Sequence, residues 1–138
     1  MRAKFLMAGV MLVAAGAAFA AGPALYKTQD CNKGVTQYDL DQCAGANADA
    51  ADGALNVAYK KLLQLHPDAS SVARLKKSER AWIAYRDKEC ASEVGPQADG
   101  GSIWPMEMSN CLEKKTAQRL RELTHQLDCP EGPLACSK

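Results

Sequence analysis

"RAWIAYRDKEC", Arg80 to Cys90, puts an indole, a phenol, an Arg-Asp pair and a cysteine into about three helical turns. At 100° per residue Leu75, Trp82, Ile83, Arg86 and Cys90 share one side of such a helix, and Arg86 lies near the middle of that apolar stripe. A charge pointing inward persists only when it is paired and hydrogen-bonded. The fold that surrounds this stretch therefore has to bring a carboxylate to Arg86.

Reading outward, His66-Pro67-Asp68 is a turn whose Asp68 can cap a helix running to about Val94, with Val72, Leu75, Trp82, Ile83 and Cys90 inward. Upstream, Thr36 followed by Asp39 has the form of an N-cap with an acidic first turn, and a first helix is expected from there to about Leu65. Its inner stripe reads Ala48, Asp52, Leu55, Tyr59, Leu62 and Leu63. Gly45 and Gly53 each cost up to about 1 kcal/mol against alanine, so a kink or break is expected in its first half. Downstream, "GPQADGGSIWP", Gly95 to Pro105, reads as a loop. A third helix from about Pro105 to Leu127 then places Met108, Leu112, Thr116, Leu120, Leu123 and Leu127 on one side. Ala21 to Lys33 and the turn-rich "DCPEGPLACSK" should be irregular, and no pattern asks for a strand.

The inward arginine acquires partners from these stripes. Arg119 lies between Thr116 and Leu123, Asp52 between Ala48 and Leu55, and Glu79 on the inner side of Arg86's own helix. Two cations and two anions with cancelling charge predict one interhelical network of Asp52, Glu79, Arg86 and Arg119, architectural in role. On this reading Arg86→Ala should lower thermal stability by several degrees, by stranding a buried carboxylate.

Met1 to Lys4 is short and basic, Phe5 to Ala15 is apolar, and Ala18-Phe19-Ala20 has the small-x-small form of a cleavage site. Residues 1–20 thus read as a signal peptide, leaving 21–138 as one domain with a core over 31–127 and a tail over 128–138. The apolar run is too short for a comfortable membrane span, and the first cysteine, Cys31, is too far from the cleavage point for a lipoprotein anchor. A periplasmic or extracellular protein without a membrane anchor is expected. Without Arg2 and Lys4 the 17 basic residues fall to 15 against 16 acidic ones, which offers no field for nucleic acid or anionic lipid.

Six cysteines beyond residue 20, in an oxidising compartment, argue for three disulfides among fifteen connectivities. Helix geometry ranks them. Cys90, near the end of the second helix, faces Cys111, near the start of the third, across an antiparallel hairpin. Cys31–Cys43 would staple the lead-in to the first helix, and Cys129–Cys136 would close the tail. The expected fold is an all-α, disulfide-stapled three-helix bundle with irregular termini.

Catalytic signatures are missing. There is no GxSxG, HExxH, phosphate loop or CxxC, and His66 and His125 read as surface residues. Asp52 and Glu79 could be imagined as paired glycosidase carboxylates, but two inward arginines make them salt-bridge partners. No metal ligand cluster and no cofactor are expected, and a non-enzymatic role is.

"ADGALNVAY" (Ala51 to Tyr59), "AWIAYRDKEC" (Ala81 to Cys90), "GGS" (Gly100 to Ser102) and "CLEKKTAQRLREL" (Cys111 to Leu123) stand in an order that resembles the LprI-like lysozyme-inhibitor N-terminal domain family. The resemblance spans about Cys31 to Leu127, and it lacks the lipoprotein cysteine of the naming member. It implies a small secreted helical bacterial protein that binds and inhibits a lysozyme or related muramidase, with a non-inhibitory envelope scaffold as the alternative. For inhibition, the loop offers Gly100, Gly101, Ser102 and Trp104: Ser102 to hydrogen-bond an active-site carboxylate, Trp104 as an aromatic anchor, and a disulfide at the base to lower the entropy cost; the alternative is that Gly100-Gly101-Ser102 is a turn capping the third helix and Trp104 packs on the end of the hairpin. Asp39, Asp41, Asp49 and Asp52, with no Lys or Arg between Lys33 and Lys60, could face a cationic enzyme. Oligomeric state is not legible.

Overall fold

A computed structural model describes residues 25–66 and 68–129. The expected signal peptide, the tail from residue 130 and the Cys129–Cys136 pairing lie outside or reach beyond them. Three long helices carry the fold: α1 Gln37–Leu65, α2 Ala69–Val94 and α3 Trp104–Asp128. A 3-10 turn, Cys31–Lys33, precedes α1. Between α2 and α3 stand one helical turn, Gln97–Gly100, and a second 3-10 turn, Gly101–Ile103, so most of the expected loop is helical. Among the described residues there is no strand.

Local chemistry sets the helix ends. Thr36 and Asp39 form a reciprocal capping box at the start of α1. Asp68 caps α2 by accepting from the Ser71 N–H at 2.8 Å. Gly95, at φ +79°, ends α2 while donating its N–H to the Ala91 carbonyl, a backbone shape that a side chain would disfavour. Pro105 stands in the first turn of α3, where no N–H is needed. Contrary to expectation, α1 is unbroken through Gly45 and Gly53. Tertiary packing of α1 along α3 outweighs the propensity cost of two glycines.

These caps predict acid sensitivity. Hydrogen bonds from the Thr36 side chain hold the Asp39 carboxyl below its ordinary range, and the Ser71 backbone N–H does the same for Asp68. Groups depressed in the folded state stabilise it when ionised, and lose that contribution as pH falls below about 4. The melting temperature should therefore decline from about pH 4 toward pH 2, with a shallower decline in Asp68→Asn. Circular dichroism melts across that range check it, and parallel curves for the two proteins would refute it.

Packing falls into three levels along the bundle. At one end Leu55, Ala58 and Leu62 of α1, Leu75 of α2 and Leu120 and Leu123 of α3 form the apolar core, flanked by Tyr59, Leu63, Trp82 and Leu127. At the other end two disulfides, Cys31–Cys43 and Cys90–Cys111, take over. A charged layer lies between them. Across α2 and α3 the partners are Cys90 with Cys111, Arg86 with Thr116 and Glu79 with Arg119. Numbers that fall on one helix as they rise on the other describe an antiparallel pair.

The fully buried line of α1 is Ala44, Asn47, Ala51, Leu55, Ala58 and Leu62. Ala48, Asp52, Tyr59 and Leu63 flank it, one helical position from where hydrophobicity alone puts the centre. Ala44, Ala51 and Ala58 stand among Leu55 and Leu62 on that line, and their small side chains favour close approach of α1 to α3. Ile83, expected inward, is 41% exposed, because the side of α2 that meets its neighbours is narrower than its apolar stripe. The lead-in is pinned to the same pair of helices. Asn47 exchanges two hydrogen bonds with the Gln29 backbone, and the Tyr26 hydroxyl donates to Glu113 at 2.9 Å. Burial, then that bond, pushes the Tyr26 phenol up to about 12.

Candidate functional site

The four charges of the sequence pattern meet in the middle layer as two pairs beside one indole. Arg119 reaches Glu79 through Nε at 3.1 Å and Nη2 at 3.0 Å, and both side chains are almost wholly buried. Arg86 donates from Nη1 to Asp52 at 3.2 Å and to the buried Thr116 hydroxyl at 3.3 Å, and its Nη2 lies 2.9 Å from Asp87. Both guanidiniums lie over the Trp82 ring, 5.2 Å for Arg86 and 5.9 Å for Arg119 from its centroid. Trp82 replaces aliphatic packing with cation–π attraction at a level where α2 has few apolar residues to offer. Among the described residues no buried side-chain polar atom lacks a partner, as a filled charged layer requires.

Asp52 departs from expectation, because its side chain is 50% exposed and it also accepts from Asn56 at the surface. Ala51 and Leu55 hold the buried line, which turns the neighbouring Asp52 to the rim. The deep carboxylate is Glu79. The stability role expected of Arg86 therefore passes to Arg119, since losing Arg86 strands no buried anion. Arg86→Ala should cost about 2 kcal/mol, the range of a half-exposed pair plus one charge-assisted hydrogen bond to a buried hydroxyl. A melting temperature as low as that of an Arg119 variant would contradict this order.

The sequence reading missed a second α2–α3 clamp. Lys115 lies 2.6 Å from Glu93 and 3.7 Å from Glu89. This contact holds the Glu93 carboxyl below and the Lys115 ammonium above their ordinary ranges. The signal was present: Glu89 and Glu93 are four apart, facing a helix with Lys115 one position from the apolar stripe.

The α2–α3 connection separates the proposed loop residues. Ser102 is exposed at the tip of the 3-10 turn. Trp104 is half-buried as the first residue of α3, and its indole Nε1 donates to the Gly95 carbonyl at 3.0 Å. That bond spans the base of the connection, so Trp104 braces it and Ile103, 50% exposed, is the apolar side chain offered outward. Gly100 is required for space: a Cβ there would stand 2.6 Å from Trp104 Cδ1 and 2.8 Å from its Cβ. Gly101 is required for shape, at φ +56°. Gly100→Ala should displace the indole, shift its fluorescence emission to longer wavelength and lower the melting temperature by a few degrees; an unchanged spectrum would exclude the brace.

Two further concavities among the described residues are shallow. One, of about 370 Å³, lies beside Cys111 between Glu93, Glu107 and Lys114. Another, of about 430 Å³, lies between Leu25, Val57, Ala58, Leu120 and Leu127. Neither gathers an acid–base pair with a nucleophile. Among the described residues no group of three His, Cys, Asp or Glu could hold a metal ion, and no helix is long and apolar enough to cross a membrane.

A charged layer locked between helices, two disulfides and a braced exposed turn define a small helical domain built for rigidity. Its family follows from comparison with known proteins. The model of the family "Lysozyme inhibitor LprI" matches residues 28–123, and the chain belongs to that family. A protein of Rhizobium meliloti (strain 1021), itself described as an uncharacterized protein, is similar at 36% identity over 115 residues, covering 75% of this chain and 82% of its own. No solved structure matches significantly.

Proposed function

We propose that this protein inhibits a lysozyme or a related peptidoglycan-cleaving enzyme by binding it, without catalysis, in the periplasm or outside the cell after removal of residues 1–20. The family match over residues 28–123 carries the reading. The geometry supports it through the connection after α2: the Cys90–Cys111 disulfide and the Trp104–Gly95 bond hold a short turn that presents Gly100, Gly101 and Ser102 at low entropy cost. In this reading Ser102 is the polar contact and Trp104 the brace behind it.

The bond that withdraws Trp104 favours a second reading, an envelope scaffold that shares the fold without inhibiting. Titrating the oxidised protein comprising residues 21–138 against lysozymes and bacterial muramidases, while following cell-wall lysis, separates the two. Saturable inhibition of one enzyme class supports the inhibitor. No inhibition across the panel leaves the scaffold.

A further inference from the structure

We infer that the end of the bundle formed by the start of α1 and the turns before α3 is the docking face for a basic lysozyme, with Val35, Tyr38 and Ile103 as its apolar contacts. The inference rests on the inhibitor reading and specifies its partner and surface. Gln37 Nε2 lies 3.9 Å from Met106 Sδ, and α1 touches the Gly101–Ile103 turn, so both segments belong to one end. Val35 is 92% exposed, Tyr38 70% and Ile103 50%. None is used by the core, which lies at the opposite end. Apolar side chains so exposed beside a braced turn are what a partner surface offers.

Charge chooses the occupant. Across residues 28–41 and 95–110 the acids are Asp30, Asp39, Asp41, Asp99 and Glu107, and the sole base is Lys33. Asp41 is held by Gln37, and Asp39 stays ionised through its capping bonds. Of the basic residues of α2, Arg74, Lys76, Lys77 and Arg80 lie toward the other end of the bundle and Arg86 is paired in the middle layer, which leaves Lys88, two residues from Cys90, and Lys114, beside Glu107, as the nearest other bases. An anionic rim around apolar contacts fits a cationic protein, steers its approach and repels an acidic one.

The test places Tyr38→Lys and Ile103→Lys together in the oxidised protein, with Val57→Lys, exposed on the far half of α1, as control. Circular dichroism verifies folding. Binding to hen egg-white lysozyme and to a panel of basic and acidic lysozymes is read by calorimetry beside lysis assays. The expected result is inhibition of a basic enzyme that weakens at least tenfold in the double variant and less than twofold in the control. Undiminished inhibition by the double variant overturns the face and leaves the inhibitor standing. Inhibition confined to acidic enzymes does the same. Binding to a basic lysozyme that is lost in the double variant but never inhibits supports the face and removes the inhibitor. No binding to any lysozyme overturns both.

Discussion

Arg119→Met is expected to destabilise the protein by about 3–5 kcal/mol, because it leaves the Glu79 carboxylate buried without its cation. The other partner of Arg119, Glu122, is at the surface and cannot compensate from there. For a domain of this size the melting temperature should fall by more than about 10 °C. A second signature separates charge from packing. Adding Glu79→Leu should restore most of the loss at neutral pH, since an apolar pair of similar volume often matches a buried ion pair. Asp52→Ala, which removes a half-exposed partner, should cost less than about 1 kcal/mol. Thermal melts of the four proteins at neutral pH decide this. An Arg119→Met loss no larger than that of Asp52→Ala, or one that the double variant does not recover, would show that the buried pair does not anchor the layer.

Removing the Cys90–Cys111 disulfide with paired alanines should cost about 3 kcal/mol, the loop-closure entropy expected for its separation of 21 residues. The loss should also be local. Beyond Arg86, α2 buries no apolar residue except Cys90, and its remaining ties to α3 are the Lys115 ion pairs at the surface. Amide hydrogen exchange should therefore quicken most between Asp87 and Val94, and in the turns up to Ile103 that the bond holds. The apolar end around Leu75 and Leu123 should change least. Paired alanines at Cys31 and Cys43 should instead free the lead-in beside Asn47 and leave α2 protected. Urea titration with exchange read by mass spectrometry measures both. An unchanged urea midpoint, or uniform quickening, would contradict the division of labour between core and disulfides.

Much of this architecture is legible one residue at a time. Thr36 with Asp39, and Asp68 before an amphipathic run, mark helix starts because a side-chain oxygen three residues ahead of an orphan N–H can act only there. Cys90 and Cys111 can be matched because a hairpin relates their positions before any coordinates exist. The charged stripe points to buried pairing for the same reason: the dielectric cost leaves few alternatives. What periodicity could not divide is depth. Asp52 and Glu79 look equivalent on their stripes, yet only Glu79 is buried, since Ala51 and Leu55 hold the buried line of α1 and leave Asp52 at its rim. Trp104 was equally ambiguous, because an indole at the start of a helix can face out or turn back onto a carbonyl.

The sequence by itself determined an all-helical, disulfide-stapled chain, its helix limits, its charge balance and its resemblance to a family. These depend on local hydrogen bonding, on covalent chemistry and on apolar spacing, all of which act over a few residues. Only the tertiary structure decided which carboxylate is deep, that Trp82 lies beneath two guanidiniums, that Trp104 braces while Ile103 projects, and that Val35 and Tyr38 share an end with Ile103. Those outcomes depend on how closely and at what rotation the helices pack, and that follows from the joint volume and charge of side chains far apart in sequence.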